Sequence, residues 1–68
     1  MDTEFVLVYT ASQHYQALLI KGLLDENNIE ASVINKQDSE FLVGFAEVFV
    51  KAGDKDKALE IIANRGQE

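Results

Sequence analysis

The sequence contains no cysteine and only one histidine, so it can build neither a disulfide framework nor the usual three- or four-ligand zinc site. Both staples of small proteins are thereby excluded, and no metal or cofactor is expected. Basic residues are scarce: six Lys and Arg stand against twelve Asp and Glu, giving a formal net charge of −6. Such a chain repels a phosphate backbone, which argues against nucleic acid as a partner. There is no glycine-rich phosphate cradle, and no nucleophile elbow surrounds Ser12, Ser32 or Ser39. Long apolar runs are missing too. The stretch Phe5-Val6-Leu7-Val8-Tyr9 follows an acidic start. It is far shorter than a signal-peptide core or a membrane span, so no membrane partner and a cytoplasmic location are expected.

What remains is a short chain with much apolar content. Its 68 residues, 47% of them hydrophobic, suit one domain spanning 1–68 near the lower size limit, where folding hides only about 60% of the unfolded surface. Stability must come from a dense core, from self-association, or from both.

Five elements can be read along the chain without a linker. Phe5 to Ala11 is β-branched and aromatic and apolar on both alternations, as in a strand covered on both faces. Ser12 is placed to cap a helix in which Ala17, Ile20, Leu23 and Leu24 recur at three and four residues. That helix should end at Asn27-Asn28, where asparagine tolerates a left-handed cap and Ile29 can fold back onto the last turn. Ala31 to Asn35 reads as a short second strand. The polar run from Lys36 to Glu40 reads as a turn, and Phe41-Leu42-Val43-Gly44-Phe45 as an apolar stretch whose glycine suggests a bend or bulge. Ala46 to Lys51 alternates, with Val48 and Val50 set against Glu47, Phe49 and Lys51, as in a strand with one buried face. Asp54 is then the cap of a second helix, Lys55 to Arg65, whose apolar stripe is Ala58, Leu59, Ile61 and Ile62 and whose stop is Gly66.

A strand-helix-strand crossover is right-handed, and two helices that each have one apolar stripe must cover the same side of a sheet. The economical arrangement is a split βαβ, with the third strand antiparallel between the first two. This predicts an α+β, ferredoxin-like βαββα fold: a three-stranded antiparallel sheet, two helices on one face, and no fourth strand. The edge of the first strand would then be unpaired, and the uncovered face would show Phe49 together with Phe5, Leu7 and Tyr9. An oily flank of that size is more than a monomer normally leaves wet, so a homodimer or a protein partner is expected.

Several runs carry a family resemblance over nearly the whole chain. They are Val8-Tyr9-Thr10, Leu23-Leu24-Asp25 leading to Asn28-Ile29-Glu30-Ala31, the stretch Val33-Ile34-Asn35-Lys36-Gln37-Asp38-Ser39, and Val48-Phe49-Val50 followed by Lys57-Ala58. Together they resemble the DUF2007 family, described as prokaryotic signal-transducing proteins. The resemblance implies a ferredoxin-like, GlnB-like fold, and it brings no established activity; the non-enzymatic reading rests on the residues. Where many members have glycine before the isoleucine, this chain has Asn28, which the same backbone conformation accepts.

Candidate chemistry is sparse. His14 lies in the first turn of the first helix with nothing nearby in sequence to organise it as an acid or base. Asp54 and Asp56 beside Gly53 lack the later ligands of a calcium loop and are explained by helix capping. Base stacking on Tyr9 and Phe49 would need basic neighbours, and Glu47 and a lone Lys51 stand there instead. Two functional readings remain. In one, a regulatory module recognises a small polar ligand or a partner through Asn35, Lys36, Asp38 and Ser39 beside Tyr9 and Phe49. In the other, an assembly subunit buries Phe5, Leu7, Phe41, Leu42 and Phe45 in a complex. A second stripe on the first helix, Tyr15, Leu18 and Gly22, could serve either.

Overall fold

The computed structural model describes residues 4–38 and 43–65. Strand β1 (Phe5–Ala11) leads into helix α1 (His14–Glu26), strand β2 (Ala31–Asp38), strand β3 (Val43–Lys51), a 3-10 turn (Ala52–Asp54) and helix α2 (Lys55–Asn64). The sheet order is β1-β3-β2, and both pairings are antiparallel. This is the βαββα, ferredoxin-like arrangement that the element order implies.

Helix α1 draws most of its residues, Gln16, Ala17, Leu18, Leu19, Lys21, Leu23, Leu24 and Glu26, from the good helix formers, and it tolerates Gly22 among them. It buries Ala17, Ile20 and Leu24 at the spacing of one helical stripe. Gln13, not Ser12, occupies the N-cap position and makes no side-chain cap bond; the Ser12 hydroxyl donates instead to Gln16 Oε1 at 3.2 Å. The other end follows the expected cap. Asn28 has φ 64°, its N–H bonds the Asp25 carbonyl at 3.0 Å, and the Ile29 N–H bonds the Leu24 carbonyl at 2.9 Å. These two reverse bonds form a Schellman motif, and the side chains of Leu24 and Ile29, both in the core, complete it. Asp54 precedes α2 without a side-chain cap bond; Asp56, in the first turn, complements the positive helix end.

Both helices pack on one side of the sheet. The core between the layers joins Val8, Ala11, Ala31, Ala46, Val48 and Val50 of the sheet to Ala17, Ile20 and Leu24 of α1 and to Ala58 and Ile62 of α2, with Ile29 beneath the α1 cap. Ala17, Ala46 and Ala58 are wholly buried, and their small side chains let the helices approach the strands closely. Leu59, expected on the core stripe of α2, is 39% exposed: it sits beyond the edge of the stripe that Ala58 and Ile62 define.

The strands differ from the sequence reading in two respects. Residues 36–38 continue β2, with Lys36 opposite Phe45 and Asp38 opposite Val43, and β3 accordingly begins at Val43. Backbone pairing between the strands is satisfied whatever the polarity of the side chains, so a polar run can extend a strand. The second difference lies in β1. Leu7 pairs with Phe49 and Tyr9 with Val48, so Val8 is an extra residue, a β-bulge. Beyond it the alternation resumes in opposite phase, with Thr10 opposite Glu47 and Ala11 opposite Ala46. Tyr9 therefore belongs to the helix side, packed against the core, and not to the open face with Phe5 and Leu7.

Candidate functional site

The side of the sheet away from the helices is the first candidate surface. Residues paired across strands share a face, so the register places Phe5 beside Lys51, Leu7 beside Phe49, Thr10 beside Glu47, Ile34 beside Glu47 and Lys36 beside Phe45. Leu7 and Ile34 are each 44% exposed and Phe45 36%; Phe5 and Phe49 are half-buried by their neighbours. Among the described residues, no element covers this face. Its polar groups are locally neutralised, because Lys36 Nζ lies 3.8 Å from Glu47 Oε1, and Lys51 Nζ lies 3.2 Å from Glu30 Oε1. The face is thus apolar at Phe5, Leu7, Phe49, Ile34 and Phe45, and Glu47, paired with Lys36, interrupts it on the central strand.

The structure does not gather Asn35, Lys36, Asp38 and Ser39 into one pocket. Successive strand residues point to opposite faces, so Lys36 turns to the open side with Glu47 while Asn35, paired with the buried Ala46, turns to the helix side. There Asn35 Oδ1 accepts a 2.5 Å hydrogen bond from His14 Nδ1, tying the first turn of α1 to β2. Asp38 ends β2. Ser39, Phe41 and Leu42 lie outside the described residues, as does the Gly66 stop. Tyr9 and Phe49 are separated by the thickness of the sheet.

Tyr9 instead belongs to a second site, which the sequence reading missed. A cleft of about 390 Å³ is lined by Tyr9, Gln16, Leu19, Ile20, Leu23 and Arg65, where α1, β1 and the end of α2 meet. The Arg65 guanidinium lies over the Tyr9 ring, 5.2 Å from its centroid, within range of a cation–π contact. Its Nη1 donates to the Ile62 carbonyl at 2.6 Å and its Nη2 to the Tyr9 hydroxyl at 3.4 Å. An aromatic and a cation this far apart in sequence have no local signal, since only the bulge aims Tyr9 at the end of α2.

Among the described residues, no group of three or more His, Asp or Glu converges on a point that could hold a metal, and no helix is long and apolar enough to cross a membrane. His14 has Asn35 beside it and no carboxylate or hydroxyl within hydrogen-bond reach among the described residues.

Comparison with known proteins agrees with the architecture. Neither the curated proteins nor the solved structures contain a match to the chain. A family model does match, over residues 5–66, and its description reads "Putative prokaryotic signal transducing protein". That span takes in every strand and helix described above, and on this ground the chain belongs to the DUF2007 family.

Proposed function

We propose that this protein is a non-enzymatic regulatory module that acts by docking, and that its docking surface is the uncovered face of the sheet. The observation that supports this reading is the exposure of Leu7, Ile34 and Phe45 on a single flank, continuous with Phe5 and Phe49. Scattered surface leucines are ordinary; a contiguous apolar strip across all three strands is the signature of an interaction site. The description of the family as signal transducing fits a domain whose work is contact and not chemistry.

A second copy of the chain is the occupant that best fits the strip. The charges on it, Glu47 with Lys36 on the central and outer strands and Lys51 with Glu30 at one end, are already paired within one protomer, so two such faces can meet without leaving a lone charge buried. A small domain also gains most from extra burial. Sedimentation equilibrium up to about 1 mM protein, with amide NMR spectra across the same range, tests the proposal. Reversible dimerisation is expected, with concentration-dependent shifts at Leu7, Ile34, Phe45 and Phe49. A monomer throughout, with no shift on the sheet, would overturn the self-association, and association that moves only α1 amides would overturn the choice of face.

A further inference from the structure

The cleft on the helix side is chemically unlike the open face, and its polar groups are biased in one direction. Arg65 can only donate hydrogen bonds, and of its five N–H groups two are aimed at Ile62 and Tyr9. The Tyr9 hydroxyl receives the Arg65 N–H on a lone pair, which leaves its own O–H to donate. Gln16 Oε1 is occupied by Ser12, which leaves the amide NH₂ of Gln16 to donate. Arg65 has no acceptor, Tyr9 and Gln16 each have one engaged, and all three side chains, which line one cleft, have donors to spare. Among the described residues, no carboxylate pairs with Arg65. The rest of the wall is apolar, formed by Leu19, Ile20 and Leu23, and Leu19 is left 67% exposed.

From this arrangement we infer that the cleft is a binding site for a small amphipathic carboxylate, with its anionic head on Arg65, Tyr9 and Gln16 and its apolar body along Leu19, Ile20 and Leu23. A planar guanidinium held against an aromatic ring is preorganised for the two oxygens of a carboxylate. A single cation in a chain of net charge −6 favours one negative charge over the two of a phosphate monoester. The volume is of the size that small-molecule sites occupy, and a few convergent polar groups on an apolar wall are their usual composition. The site lies on the opposite layer from the docking face, so it stands or falls independently of that reading.

Octanoate, 1-octanol and octyl phosphate are suitable probes, titrated to about 10 mM against the whole chain and followed by amide chemical shifts. Octanoate should give saturable shifts at Tyr9, Gln16, Leu19, Leu23 and Arg65. Arg65→Met should weaken it roughly tenfold or more, and Tyr9→Phe by a smaller factor, through loss of one hydroxyl donor. Arg65 is exposed, so its replacement leaves the core intact, and an unchanged thermal melt of each variant checks this. Octanol binding as tightly as octanoate would reduce the cleft to a greasy patch and overturn the inference. So would tighter binding of octyl phosphate, an Arg65→Met variant that binds octanoate unchanged, shifts confined to Leu7, Phe45 and Phe49, or no saturable shift at all.

Discussion

Replacing Leu7 and Ile34 together by threonine tests the docking face most directly. Threonine has the β-branching that strands favour and removes most of the apolar surface. Complete burial of a leucine or isoleucine contributes about 1.5–3 kcal/mol. Each of these side chains is 44% exposed in the isolated chain, so less than half of that, about 1 kcal/mol per side chain, is left for a partner to collect. In a two-fold dimer each residue appears twice, and the double variant therefore forfeits about 4 kcal/mol of association. That corresponds to roughly three decades in Kd, enough to convert a micromolar dimer into a monomer at any ordinary concentration. The fold itself should lose little, since the parts removed already face water. Sedimentation velocity of the double variant against wild type measures the effect, with a thermal melt to confirm folding. Leu18→Lys, on the outer side of α1 where Leu18 is 47% exposed, is the control and should leave the association constant unchanged. If the lysine variant dissociates the dimer and the threonine pair does not, the interface lies on the helices and the reasoning fails.

Other expectations follow from charge and packing. Two protomers of net charge −6 repel one another, so raising salt from about 50 mM to about 500 mM should tighten the dimer severalfold, whereas weakening would mean that ion pairs hold the interface. Asn28→Ala forces an ordinary side chain into the left-handed conformation at φ 64°. It should cost about 1 kcal/mol, a fall in Tm of about 4–8 °C, while Asn28→Gly should melt at or slightly above wild type; an alanine variant that melts with wild type would refute the role assigned to the cap. Leu24→Ala hollows a wholly buried position and should cost about 3–5 kcal/mol. For a chain of 68 residues that is a large share of all the stability available, so urea titration should find the variant largely unfolded in buffer, and a loss under about 1 kcal/mol would show that the core closes around the gap.

The parts of the fold that can be read from the sequence are those governed by local rules. Val48 and Val50 alternating with Glu47 and Phe49 declare one buried and one open face, and both readings agree with the register. Asn27-Asn28-Ile29 announces a helix end, because the left-handed position and the apolar return are both short-range requirements. Tyr9 could not be placed this way. Its face depends on a bulge, and the bulge depends on how β1 meets β3, some forty residues further along the chain. Lys36, Gln37 and Asp38 look like a turn because they are polar; they extend β2 because β3 supplies their backbone partners. The candidate site followed the same division. Phe5, Leu7 and Phe49 are recognisable as one flank from alternation, and Phe45 only as part of an apolar stretch; the meeting of Tyr9 with Arg65, and of His14 with Asn35, arises only from the tertiary path of the chain.

The extra residue in β1 also bears on how copies of this molecule can grow upon one another. A straight, oily rim strand invites another chain to zip onto it, and a ladder that adds one rung can add the next without limit. With Val8 inserted, the spacing of free N–H and C=O groups along that rim is broken midway, so an incoming strand finds half of its bonds out of step. Broadside contact, flank on flank, uses up its own surface and stops at two. A single slipped residue thus works against fibres and is compatible with the finite pair proposed above.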